Sequence, residues 1–373
     1  MAKFGKERKL RSILGQIAIF VLFALFFAGC STKQQEEVRL VIPPPPEEPR
    51  LFYITSYFGE SSFGDSKALD LFLGKEQKGG YKRLRKPYGV FAKDDVIYVT
   101  DTAYGLVFVI DAKNKKVRFI GDKPAGKLSL PVGVTMDQKG VLYVSDAKLK
   151  KVFGYDKDGK LVYALGSKGE FKRPAGIAVD KKRNRLYVVD VLDHKVKVYD
   201  LKSNDKILEF GKRGKEEGEF NFPTNIVIDP RDDTVAVVDT QNFRVQIFDM
   251  EGEFITSFGR LGRAPGLFSR PKGIGLDSEG HYYVADAAFN NVQIFDKAGR
   301  LLLFFGGAGF DPGKFYLPAG VYVDEKDRVY IVDSFPARVQ VFQYVSERWK
   351  KEHPEEYKKL KELGGAITAK EGE

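Results

Sequence analysis

The chain has 373 residues and a mass of 42.0 kDa, with 43% hydrophobic and 13% aromatic residues, so it can bury a large core and is not a disordered protein. One cysteine excludes an internal disulfide framework, a CxxC zinc ribbon and a CxxCH haem attachment, and three histidines leave little for histidine-based metal or acid–base chemistry. The net charge of +10, from 61 basic against 51 acidic residues, invites a nucleic-acid or membrane-surface partner until the charges are located along the chain.

Residues 1–11 carry Lys3, Lys6, Arg8, Lys9 and Arg11 against Glu7 alone, and 17–28 are twelve apolar residues in a row. A charged region, a short apolar region and small residues at its end form the pattern of a secretory signal. The run stops at Cys30 in FAGCS, which resembles the lipobox of bacterial lipoproteins. That resemblance implies a signal peptide over 1–29, acylation of Cys30 by palmitate or a similar chain, and a protein lipid-anchored to a membrane of the bacterial cell envelope, on the periplasmic side or at the cell surface. The competing expectation is an uncleaved anchor over 13–29, near the lower length limit for a spanning helix. Without residues 1–29 the chain keeps 56 basic and 50 acidic residues, a net +6. Residues 30–50, with four prolines at 43–46, read as a semi-extended linker able to reach at most about 65–70 Å.

From position 87 the chain repeats itself. Six segments start with proline and a short β-rich run: PYGVFA at 87, PVGVTMD at 131, PAGIAVD at 174, PTNIVID at 223, PKGIGLD at 271 and PAGVYVD at 318. Each continues into a second run ending in aspartate, at Asp101, Asp146, Asp190, Asp239, Asp286 and Asp333, then a third such as RVQIFD and a fourth such as FITSFG. Short runs rich in Val, Ile, Tyr and Phe between glycine-bearing turns predict strands. Four strands per period of this length predict one propeller blade per repeat. The sixth repeat lacks its fourth run, and LFYITSYFG at 51–59 matches EFITSFG at 253–259. The expectation is an all-β, six-bladed β-propeller over 51–345 with an N-terminal strand closing the last blade, followed by a charged tail, 346–373, with a short C-terminal helix.

The spacing of Gly211, Gly214, Gly218, Phe220 and Pro223 recurs at Gly259, Gly262, Gly266, Phe268 and Pro271, and again at Gly306, Gly309, Gly313, Phe315 and Pro318. With the D-x-x-N-x-R stretch of Asp239, Asn242 and Arg244, this pattern resembles the NHL-repeat family of six-bladed β-propellers. Blades one and two depart from it, with Leu84 and Leu128 at the phenylalanine position. The fold so implied hosts many activities and names none.

In such a fold the loops after the aspartate-ended strands and the connectors between blades share one face, called the top below. The tether and the end of the last blade lie at the bottom, which leaves the top free for a partner. The residue before the initiating proline is basic in blades one, three and five, at Lys86, Arg173 and Arg270; these read first as solvated connector residues, and alternatively as a triad placed around the channel mouth to hold an anion. Tyr104, Phe243, Phe289 and Phe335 fall in top loops as a candidate contact patch. The six strand-ending aspartates read as turn caps, not as metal ligands.

Related propellers include gluconolactonase-like hydrolases and peptide-amidating lyases, both metal-dependent. The first strands here offer Asn225 as their only amide and no glutamate, and His194, His281 and His353 fall in a top loop, beside a bottom turn and in the tail, so no ligand set converges. Neither a catalytic residue nor a metal ligand nor a cofactor is assigned. Export argues against the RNA partners of cytoplasmic NHL proteins. The resulting expectation is a monomeric, non-catalytic binding or scaffolding module that meets an envelope protein or glycan, with a metal-dependent envelope hydrolase or lyase as the alternative. The tail, acids first and lysines later after Pro354, reads as a helix suited to its own dipole that docks through Trp349, Tyr357 and Leu360 or binds a partner.

Overall fold

In five of the six proline-initiated runs the third residue is glycine, which lets the run lie innermost in its blade; blade four has Asn225 there. A computed structural model describes residues 40–44, 46–63 and 83–368, with side chains to 362; the segment expected as a signal peptide, Cys30 and most of the segment expected as a linker lie outside the described residues. A Cβ on Gly89 would sit 2.2 Å from the carbonyl oxygen of Val132, and one on Gly273 would sit 2.0 Å from that of Ala319. Neighbouring inner strands approach backbone to backbone, and only glycine permits that.

Five sheets have four strands and one has five, giving six blades. The inner strands, Pro87–Lys93, Pro131–Met136, Pro174–Asp180, Pro223–Asp229, Pro271–Leu276 and Pro318–Val323, neighbour one another in sequence order, and the sixth returns to the first. Hydroxyls beside the strand-ending aspartates stitch blade to blade: Thr100 Oγ1 donates to the Val132 carbonyl (2.8 Å), Ser145 Oγ to that of Ala175 (2.5 Å), Thr240 Oγ1 to that of Pro271 (2.9 Å) and Ser334 Oγ to that of Pro87 (3.0 Å). The core is divided among the blade interfaces. Phe220, Phe268 and Phe315, at the recurring phenylalanine position, are fully buried, and Leu84 and Leu128 are buried in the same place.

Blade six closes as the displaced run predicts. Leu51–Tyr57 pairs antiparallel with Arg338–Tyr344, Leu51 opposite Tyr344 and Tyr57 opposite Val339. Asp333 pairs with Arg338 at the other end of that sheet, so Leu51 and Val345 both lie on the face opposite the aspartate-ended loops. The linker reading of 30–50 extends too far. Val41–Ile42 adds a fifth strand against Leu51 and Phe52, and Leu40 packs with the core of blades five and six. The proline run hides this strand, since two paired residues leave no periodicity.

The tail is two helices: α1, Glu347–Glu352, capped by Ser346, and α2, Pro354–Thr368. Trp349 and Leu360 are buried with Val41, Phe52 and Val345, so the tail docks on the bottom partly through the added strand. Tyr357 donates to Glu48 Oε1 at 2.6 Å and Lys350 lies 2.9 Å from the same oxygen. The hydrogen bond from Tyr357, followed by that from Lys350, holds the Glu48 carboxyl down at about 2. A depressed carboxylate contributes stability above its ordinary value of 4.5 and loses it as pH falls toward the folded value. Trp349 is the only tryptophan, so its accessibility to acrylamide quenching should stay constant down to pH 4.5 and rise between there and pH 2. Glu48→Gln should raise it at neutral pH by no more than about fivefold, as expected for a half-exposed pair of about 1 kcal/mol or less.

Candidate functional site at the channel mouth

The strand-ending aspartates build the rim. Asp190 accepts the N–H groups of Lys172 and Arg173 (both 2.8 Å), and Asp286 those of Ser269 (2.7 Å) and Arg270 (3.1 Å). In blade one Asp101 accepts those of Arg85 (2.6 Å) and Lys86 (3.1 Å). All six carboxylates are fully buried and are used in fixing the connectors that lead to the initiating prolines, which is the turn-capping role these residues are suited to. In blade four Asn242 (2.7 Å) and Arg244 (3.0 Å) both donate to Asp239 Oδ2, which accounts for the D-x-x-N-x-R spacing.

Inside the rim the inner strands enclose a cavity of about 110 Å³, walled mainly by glycine, aliphatic residues and backbone; Tyr88, Thr135, Thr224, Asn225, Phe91 and Tyr322 are its other side chains. No carboxylate or histidine lines it, and among the described residues no three His, Cys, Asp or Glu side chains gather as metal ligands. Asn225 Oδ1 accepts the N–H of Ile226 at 2.9 Å. The histidines are dispersed: His194 Nδ1 accepts the N–H of Phe222 (3.2 Å), His281 pairs with Asp277 (2.9 Å), and His353 stacks on Trp349.

Lys86, Arg173 and Arg270 are all exposed on connectors of blades one, three and five. Arg173 and Arg270 both act on the Tyr88 hydroxyl, opposing the burial that raises its pKa. Two residues outside the basic-triad pattern, Tyr88 and Lys272, join them, both at the second position of an inner strand. Lys272 of blade five sets its ammonium 5.4 Å from the centre of the Tyr88 ring in blade one. Burial, and then the neighbouring Arg270, lowers the Lys272 pKa to about 8. Among the described residues none of Lys86, Arg173, Arg270 and Lys272 pairs with a carboxylate. Aligning position two across the repeats (Tyr88, Val132, Ala175, Thr224, Lys272, Ala319) would have singled out Lys272 as its only charged member.

The four aromatic residues expected as one patch are spread over four blades. Tyr104 leans on Phe108 (5.9 Å), Phe243 packs on the core between blades four and five, and Phe289 is half-buried. Phe335 is 66% exposed, and its partners are Phe310, 58% exposed, and Tyr316, with ring centres 5.1–6.2 Å apart. Phe310 and Tyr316 stand where the two preceding connectors carry Lys215 and Arg263, and Asn221 and Ser269. Comparing the variable positions of the connectors would have found them.

A family model described as a 6-bladed beta-propeller matches residues 132–210. No curated protein matches the chain. Among solved structures, a protein of unknown function from Bacteroides thetaiotaomicron is similar at 17% identity, with 79% of this chain and 75% of that one covered and a TM-score of 0.59. An auxiliary nutrient binding protein from the same species is similar at 12% identity, with 70% of each chain covered and a TM-score of 0.56. A streptogramin B lyase is similar at 10% identity, with 69% of this chain and 93% of that one covered and a TM-score of 0.53. Likeness at this identity to a binding protein and a lyase alike carries architecture and not activity, and the architecture is that of a six-bladed β-propeller.

Proposed function

We propose that this chain is a non-catalytic binding or scaffolding protein of the bacterial cell envelope, lipid-anchored through Cys30, whose propeller presents its top face to an envelope protein or glycan. The observation that carries this reading is the division of the two faces. Leu51, Val345 and the docked tail occupy the bottom, while cations without a carboxylate partner among the described residues and the exposed Phe310–Tyr316–Phe335 cluster occupy the top. Exposed apolar clusters rimmed by polar residues are typical of interaction sites. The auxiliary nutrient binding protein shows this architecture in a binding role, and the channel walls lack the convergent oxygen or nitrogen ligands that a metal-dependent hydrolase or lyase requires.

The test is affinity capture from envelope extracts with the full chain and two variants, Phe310→Ser/Phe335→Ser and Lys86→Glu/Arg173→Glu/Arg270→Glu. The expected result is loss of a captured species in at least one variant at unchanged thermal stability. Identical capture by all three proteins would remove the top face as the binding surface. A stoichiometric calcium or zinc ion surviving dialysis would overturn the non-catalytic assignment.

A further inference from the structure

The cavity at the channel mouth is small. Sites that enclose a whole small molecule have volumes of about 300–1,000 Å³, whereas about 110 Å³ is available here. That favours a side-chain-sized group over a whole sugar or nucleotide. What surrounds its entrance is cationic. Lys272 lies over Tyr88, Arg270 approaches from the connector of the same blade, and Arg173 faces the Tyr88 hydroxyl from blade three.

We propose that the channel mouth is a receptor for one carboxylate, carried on an aspartate or glutamate side chain or a chain terminus of a partner protein, with Lys272 and Arg270 as its charge partners and Tyr88 as the floor beneath the Lys272 ammonium. This deepens the binding role proposed above and rests on the top face being the docking surface. Three observations support it. None of Lys272, Arg270 and Arg173 has a carboxylate partner among the described residues; Arg270 and Arg173 are exposed, but a half-buried cation such as Lys272 is ordinarily paired. The groups facing Lys272 are Tyr88 and Arg270, neither of which supplies negative charge at neutral pH to offset the burial and the Arg270 charge that lower its pKa. Beside the mouth, Leu317, 45% exposed, continues the surface from the rim to Phe310, Tyr316 and Phe335. A cluster composed largely of phenylalanine and leucine, poor in hydrogen-bonding groups, suits apolar side chains flanking the acidic residue of a protein better than the hydroxyl-covered faces of a glycan.

The experiment uses the full-length chain in detergent micelles with ¹³C-labelled lysine. The Lys272 side-chain resonance is identified by its loss in Lys272→Met. Propionate should shift this resonance saturably and move its titration upward, and propionamide, which has the same shape without the charge, should not. A capped Leu-Glu-Phe tripeptide should bind more tightly than trigalacturonate. Lys272→Met should weaken the tripeptide by about tenfold or more, the loss expected for a charge-assisted hydrogen bond, and Lys272→Arg should restore most of it.

Equal responses to propionate and propionamide, or none to either, would overturn the proposal, as would tighter binding of trigalacturonate than of the tripeptide. Its failure is separable from that of the broader reading. If capture depends on Phe310 and Phe335 while propionate leaves Lys272 unmoved, the carboxylate receptor falls alone. If propionate and the tripeptide bind as expected while capture ignores every top-face substitution, the broader docking role falls, and with it the partner protein as the source of the carboxylate, while the carboxylate site itself stands.

Discussion

A chain started at Phe58 is expected to lose cooperative unfolding and to associate, whereas one started at Leu40 is expected to unfold like the full chain. The residues that distinguish the two include the strand closing the ring. Leu51 is fully buried and Phe52 is 5% exposed, and full burial of each is worth about 1.5–3 kcal/mol. Together they contribute roughly 3–6 kcal/mol, an upper estimate, against a total stability that is typically about 5–15 kcal/mol. Removal also strips Tyr53 from Phe342, an edge-to-face contact at 5.7 Å, and takes away the Val41 and Phe52 surfaces on which Trp349 sits. Arg338–Tyr344 would then be an open, largely apolar edge, and such edges template association. Size-exclusion chromatography and thermal unfolding of the two truncations provide the measurement. A monomeric Phe58 chain with a Tm within a few degrees of the Leu40 chain would show that the ring does not depend on its closing strand.

That closure was legible in the sequence because it is a repeat property. A fourth strand missing at Val345 and its counterpart at 51–59 need only be matched to each other. The same holds for the proline-x-glycine starts, where glycine is required by the 2.0–2.6 Å approach of the next blade's backbone, and for the aspartates, whose hydrogen bonds to the connectors recur from blade to blade. Features that break the repeat were harder to read. Val41–Ile42 is too short to leave a pattern, and its docking depends on a tail some 300 residues away in sequence. Lys272 of blade five meets Tyr88 of blade one, a contact between non-consecutive blades that only the closed ring brings together. The basic triad was visible as connector residues, but two of its members converge on a tyrosine that their own pattern did not include. Of the expected aromatic residues, Tyr104 and Phe335 stand exposed, and Phe335 is joined to two residues whose significance lies in departing from the connector consensus.

Asp333→Ala is expected to destabilise the protein by about 3–5 kcal/mol, the loss that follows when one member of a buried ion pair is removed and the other left charged. The Asp333 side chain is fully buried and that of Arg338 is 5% exposed, with Nε 2.9 Å from the carboxylate. Asp333 also accepts the N–H of Tyr316 at 2.7 Å, while Arg338 donates onward to the carbonyls of Phe310 (2.5 Å), Asp311 (3.1 Å) and Lys314 (2.8 Å). This one pair therefore holds the connector that carries Phe310 and Tyr316. At roughly 2–3 °C per kcal/mol for a domain of this size, Tm should fall by about 6–15 °C.

Burial raises the Asp333 pKa against the pull of Tyr316 and Arg338, so the pair is held at a desolvation cost and adds little net stability over an apolar pair. Asp333→Leu/Arg338→Met is accordingly expected to be less destabilised than Asp333→Ala alone. The double variant should nevertheless free the connector, because the three carbonyls lose their donor, and Phe310 should become more susceptible to proteolysis in its loop while the ring stays folded. Charge reversal at Lys86, Arg173 and Arg270, all exposed, should leave stability within about 0.5 kcal/mol. A double variant as unstable as Asp333→Ala would mean that the charges themselves, and not the leftover guanidinium, set the stability of blade six. An Asp333→Ala variant as stable as the parent would remove the pair as the support of the top-face aromatic cluster.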